Sequence, residues 1–140
     1  MELPIKIQGV MYSKNDSKIE YLIIKRCEQD GGFWQGVTGT LEEGEFFKDC
    51  LKREIKEELG ITHINKISDI KQTLQWAKKS GFMITEYVYM VELNRNEKVT
   101  LSEEHVDYKW CCFNEAYEML GKDNNKATLK MINEELENGE

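Results

Sequence analysis

Residues 39–61, GTLEEGEFFKDCLKREIKEELGI, constrain this chain more than any other stretch. Phe47, Leu51, Ile55 and Leu59 recur every four positions, so residues 45–59 read as a helix with one apolar stripe. Gly60 fits the left-handed stop after such a helix. With about 100° per residue and Glu54 at zero, Glu57 falls near −60°, Glu58 near +40° and Arg53 near −100°. Three carboxylates therefore share an arc of about 100°, with Arg53 beside them. The apolar stripe runs from about +20° to about +140°, which puts Glu58 on the margin of the buried face.

That placement has a cost. Like charges at this spacing destabilise a helix by roughly 0.2–0.5 kcal/mol per pair, and by more where water is excluded. A bound divalent cation removes the cost. Hard carboxylate oxygens without Cys or paired His suit Mg²⁺ or Mn²⁺. Gly39 and Gly44 let the preceding loop turn sharply and approach a ligand. The loop is expected to deliver Glu45 to the first helical turn, where negative charge is favoured. Backbone carbonyls around Gly39 offer a further oxygen ligand. The competing reading is a solvated surface helix, with Lys48, Lys52 and Lys56 between the acids. The whole pattern weighs against it: seven defined residues at this spacing arise by chance roughly once in 10⁶ chains or less.

The remainder of the chain supplies a frame. Residues 4–12 and 20–27 read as strands across the polar turn KNDSK, with a loop at 28–33 and a short strand at 34–38. Residues 64–76 and 82–93 read as a long antiparallel pair around KKSG, and 107–113 as a further strand. Asn114 is a candidate cap for a short helix over 115–121. Residues 124–138 read as an amphipathic helix with Leu129, Ile132 and Leu136 inward. Strands with interspersed helices predict a mixed sheet covered by helices, in one domain over 1–140.

A net charge of −7 argues against a nonspecific nucleic-acid binder. No run approaches the apolar length of a membrane span, and residues 1–10 lack a signal-peptide pattern, so a cytoplasmic location is expected. Cys27, Cys50, Cys111 and Cys112 have no zinc spacing with His63 or His105. Nothing reads as a coiled coil, and a homodimer through strand or helix contacts stays open.

Residues 39–61 resemble the Nudix box, G-x5-E-x7-R-E-U-x-E-E-x-G-U with U aliphatic. The match holds at Gly39, Glu45, Arg53, Glu54, Ile55, Glu57, Glu58, Gly60 and Ile61. The resemblance implies the Nudix fold, an α/β/α sandwich with a mixed central sheet, and Mg²⁺-dependent hydrolysis of a nucleoside diphosphate linked to another moiety. FWQGVTGTLEEGE and SEEHVDYKW resemble dihydroneopterin triphosphate (dATP) pyrophosphohydrolases. LSEEHVDYKWCCFNEAYEML also resembles diadenosine tetraphosphate hydrolases, but those usually carry a proline-bearing loop that WQGVTGT lacks. The implied substrate is a nucleoside or pterin triphosphate, cleaved to monophosphate and pyrophosphate. A Nudix-like binding module without turnover is the third reading; such modules tend to lose box glutamates, and all are present here.

By that resemblance Glu57 and Glu58 are metal ligands, Glu54 is a ligand or the general base, and Arg53 orients the glutamates. Glu45 supports the loop or an outer metal and stands near the substrate. Glu104 completes the metal site or acts as base, with Glu103 as its competitor. Outside the box, Lys25 and Arg26 are candidate phosphate contacts, against ordinary strand-end charges. Trp34 and Gln35 are candidate substrate contacts, although Trp34 beside a strand also suits packing. Trp76 with Phe82 is a candidate wall of a base or pterin pocket, against plain sheet packing. His105 reads as a hydrogen-bonded support residue, and Trp110 as structural.

Overall fold

The computed structural model describes residues 4–139. Its strands are β1 (Ile5–Asn15), β2 (Lys18–Arg26), β3 (Trp34–Gln35), β4 (Val37–Thr40), β5 (Lys66–Ile67), β6 (Gln72–Ala77), β7 (Met83–Glu92) and β8 (His105–Cys111). The helices are α1 (Phe47–Leu59), α2 (Phe113–Met119) and α3 (Asp123–Glu137), with a short 3-10 turn at Glu28–Asp30.

The strands form a mixed sheet with the path β3-β2-β1-β7-β5; β4 also pairs with β1, β6 with β7 and β8 with β2. β1 and β7 run parallel, from Ile5↔Thr85 to Tyr12↔Glu92, and the other pairs are antiparallel. A parallel pair needs a long crossover, and α1 lies within it. Cys50, Leu51, Ile55 and Leu59 of α1 pack on Ile7, Leu22, Ile24, Val37, Tyr89 and Val91. On the other side Ala116, Leu129, Ile132 and Leu136 pack on Tyr12, Tyr21, Ile23, Val88 and Met90. Neighbours such as Leu22 and Ile23 thus enter opposite cores, which explains the continuous apolar runs of β2 and β7. The expected α/β/α sandwich is the observed fold.

Several boundaries differ from expectation. α1 starts at Phe47 with Phe46 at its N-cap, so Glu45 lies in the loop and not in the first turn. α2 is capped at Cys112 rather than Asn114, because the chain turns directly out of β8. The expected strand over 64–76 divides into β5 and β6. Ser68 interrupts it by giving its hydroxyl oxygen to the Met90 N–H at 2.9 Å. β8 begins at His105, not 107, and its register on β2 shifts between Lys25 and Arg26. Such a bulge re-aims a side chain, and here it sets His105 opposite Arg26.

Candidate active site

Arg53 is the hub of the acidic site. Its Nε and Nη2 donate to Glu45 Oε2 and Oε1 at 2.7 and 3.1 Å, a two-pronged pairing. Nη1 donates to Glu54 Oε2 at 3.0 Å and more weakly to Glu57 Oε1 at 3.4 Å. Nη2 also reaches the Thr40 carbonyl at 3.3 Å. One guanidinium therefore ties the loop after β4 to the exposed face of α1. The Arg53 hydrogen bonds hold the Glu45 carboxyl down at about 2. Glu45 in turn accepts the Glu42 N–H at 3.0 Å, closing the turn around Gly44.

The deeper half of the site has the opposite electrostatics. Glu58 is 4% exposed on the inner edge of α1. Burial, followed by its hydrogen bond to Glu54, pushes its pKa well above the usual carboxylate range. Burial likewise raises Glu54. His105 Nε2 lies 3.7 Å from Glu58 Oε1, and neither atom has a hydrogen-bond partner. Burial, with Arg26 nearby, lowers the His105 pKa. His105 Nδ1 lies 3.4 Å from Ser102 Oγ, in keeping with a support role.

Gly39 sits in β4 opposite Ile7. A Cβ there would collide with Cγ, Cδ and Oε2 of Glu54. Only glycine leaves space for that carboxylate against the strand.

Gly39, Glu54, Glu57, Glu58, Glu104 and His105 line one open cavity of about 580 Å³, together with Arg53 and Arg26. Glu104 lines it and Glu103 does not. The Glu104 carbonyl accepts the Cys27 N–H at 3.0 Å, which fixes this loop beside β2. The donor set fits a hard divalent cation: carboxylate oxygens predominate, and the buried Glu58 Oε1 is unpartnered. Among the described residues no three acidic, His or Cys side chains already converge as a metal cluster. Arg53 holds Glu54 and Glu57 to one side, and Glu57, with its side chain 57% exposed, has room to swing inward.

A second cavity of about 290 Å³ adjoins the first, and Lys6, Arg26 and Thr38 line both. Phe33, Gln35, Leu74, Trp76, Glu86 and Lys122 are among its walls. Trp76 lines this cavity, and its Nε1 donates to Glu86 Oε1 at 3.1 Å. Gln35, 4% exposed, also lines this cavity. Phe82 does not: it is 41% exposed beside Lys78 and lines neither cavity.

Two further candidates, Lys25 and Trp34, lie outside both cavities. Lys25 pairs across the sheet with Trp34 and follows Ile23 onto the face of α2 and α3, so it lines neither cavity. Trp34 packs half-buried against that second core and forms a bridge to Leu120. Its neighbour Phe33 is the wall residue, with Arg26 Cζ at 5.8 Å and Lys122 Nζ at 4.7 Å from its ring. Phe33, Glu86 and Lys122 are absent from the expectations above. The one available signal was Glu86, the single charge within the apolar run FMITEYVYMV. Trp110 packs at the first core under Arg95, and all four cysteines are free thiols.

The NUDIX domain profile matches residues 7–132. Over 121 residues the chain is 29% identical to the dihydroneopterin triphosphate diphosphatase of Escherichia coli K12, covering 76% of this chain and 77% of that protein. It is 32% identical over 110 residues to the asymmetrical bis(5′-nucleosyl)-tetraphosphatase of Caenorhabditis elegans, covering 76% and 78%. The crystal structure of a C. elegans Ap4A hydrolase binary complex superposes with a TM-score of 0.81 at 27% identity, covering 94% and 96%. With the box residues gathered around one cavity and the profile spanning nearly the whole chain, this protein belongs to the Nudix family of hydrolases, which act on phosphoric anhydrides.

Proposed function

We propose that this chain is a Mg²⁺-dependent pyrophosphohydrolase that converts a nucleoside or dihydroneopterin triphosphate to its monophosphate and pyrophosphate. The observation that carries the reading is the junction of the two cavities. A carboxylate-lined space shares the walls formed by Lys6, Arg26 and Thr38 with a smaller one lined by Phe33, Gln35 and Trp76. An apolar cavity of about 150 Å³ accepts a single benzene ring, so about 290 Å³ suits a two-ring heterocycle. The 29% identity to a dihydroneopterin triphosphate diphosphatase supports the same choice.

Glu57 and Glu58, with Glu54, Glu104 and the Gly39 carbonyl, would hold Mg²⁺, with Mn²⁺ as a substitute. When bound, the cation neutralises phosphate oxygens and lowers the pKa of water. Glu54 or Glu104 takes the proton from the attacking water. Arg53 positions Glu54 and Glu57 and, through Glu45, the loop that carries Gly44. Arg26 stands on the wall common to both cavities, where it can meet the phosphate chain. The reaction needs no covalent bond to the protein. The whole chain acts as one domain in the cytoplasm on a small-molecule substrate, without a nucleic-acid partner, and a homodimer is compatible with it.

A second reading, hydrolysis of dinucleoside polyphosphates, draws on the 32% identity to a bis(5′-nucleosyl)-tetraphosphatase. A panel of dNTPs, dihydroneopterin triphosphate, diadenosine tetraphosphate and ADP-ribose, with Mg²⁺ and with chelator, separates the readings. Pyrophosphate release from a triphosphate supports the first. Two nucleotides from the dinucleotide, with triphosphates untouched, supports the second. No activity on any would reject both.

A further inference from the structure

We infer that Glu86 and Gln35 read the 2-amino-4-oxopyrimidine edge shared by guanine and the pterins, and so select the substrate. This rests on the hydrolase reading above and assigns its selectivity to particular atoms.

Glu86 is a buried carboxylate, 8% exposed, in the apolar strand β7. Gln8, itself 2% exposed, donates its Nε2 to Glu86 Oε2, and Trp76 Nε1 donates to Oε1. Among the described residues Glu86 forms no ion pair. A carboxylate oxygen can accept two hydrogen bonds and each of the Glu86 oxygens accepts one, so each has capacity for a second donor. Gln35, 4% exposed on the same cavity, has an Nε2 with no hydrogen-bond partner. The cavity thus presents a carboxylate with acceptor capacity to spare and, separately, a buried donor that has no partner in the protein.

Flat walls accompany them. The Trp76 ring is held by its bond to Glu86. Phe33 is held between Arg26 and Lys122. A planar heterocycle bound against these rings satisfies both polar groups when it turns two adjacent N–H donors toward Glu86 and a carbonyl toward Gln35. Guanine does this with N1–H, the 2-amino group and O6; a pterin does it with N3–H, the 2-amino group and O4. Adenine and cytosine set a ring nitrogen acceptor beside their amino group, which would face the carboxylate. Uracil and thymine flank one N–H with two carbonyls. Hypoxanthine keeps N1–H and O6 but lacks the amino group.

The test compares kcat/KM for dGTP, dITP, dATP, dCTP and dihydroneopterin triphosphate with Mg²⁺, alongside quenching of tryptophan fluorescence by dGMP, dIMP and dAMP. A hydrogen bond to a charged group predicts dGTP over dITP by about 10- to 100-fold, with dATP and dCTP lower still. The dGTP and dihydroneopterin arms distinguish the two sources of the same ring edge. Glu86→Gln should bring the dGTP:dITP ratio close to one, with circular dichroism verifying the fold. Gln35→Leu should weaken dGTP and dITP alike. The comparison of dGTP with dITP on the unaltered protein needs no variant. Equal rates on dGTP and dITP, or a preference for dATP, would overturn the inference and leave the hydrolase reading standing. Quenching selective for dGMP without turnover would support the inference and reject the hydrolase reading. Neither turnover nor selective quenching would remove both.

Discussion

The two adjoining cavities are built in opposite ways. The acidic one takes most of its chemistry from 23 consecutive residues, 39–61, and is governed by charge: one guanidinium set against several carboxylates. The smaller one draws scattered residues from β1, β2, β3, β4, β6, β7 and the start of α3, and is governed by hydrogen-bond direction and ring faces. The difference suggests a division of labour. Under the proposed function, bond cleavage would rest mainly on a contiguous segment with Glu104 beside it, and selectivity on what the sheet brings alongside.

The division can be broken at its strongest point. Glu54→Gln should lower kcat by about 10²- to 10⁴-fold, the range for losing a general base, while dGMP binding in the fluorescence assay stays unchanged. Equal loss of both would merge the cavities into one functional unit. Gly39→Ala should cost about 10²-fold in kcat, because its Cβ displaces the Glu54 carboxylate. Steady-state kinetics on the folded variant reads this directly. Arg53→Lys keeps the charge but loses the two-pronged pairing to Glu45, and should reduce activity by about 10- to 100-fold. In the same assay the dGTP:dITP ratio should not move; a changed ratio would assign Arg53 to selectivity as well.

Thermal melting gives a smaller and more graded effect. Glu58 has its folded pKa raised above 4.5, so it favours the folded chain at low pH and loses that contribution as pH rises. Mg²⁺ favours the ionised carboxylate, and should raise Tm more at about pH 8 than at about pH 6. Glu45 behaves the other way. Its folded pKa of about 2 lies below 4.5, so its contribution is present above that range and is lost as pH falls toward 2. An Mg²⁺ shift independent of pH would argue against Glu58 as a ligand. Lys25→Ala, on the opposite face of β2, should leave kcat and KM unchanged.

The same contrast explains what the residues revealed in advance. α1, its buried stripe and the marginal position of Glu58 were legible because helical periodicity is a local property. Glu45 was misplaced by a few residues because the helix starts after Phe46, a cap without side-chain bonding. Arg26 and Lys25 are adjacent in sequence, and only the face of β2 that meets α1 tells them apart. Trp34 and Phe33 exchanged roles for a related reason: Trp34 pairs with Lys25 and shares its face. Glu86 meets Gln8 from 78 residues away through the parallel β1–β7 register, which no local pattern encodes.

The most direct test of the account is a ³¹P NMR time course of dihydroneopterin triphosphate with the unaltered protein, with Mg²⁺ and with chelator. The account predicts a growing pyrophosphate resonance and a monoester resonance, both only with Mg²⁺. Orthophosphate as the first product, or an unchanged spectrum in both samples, would contradict it.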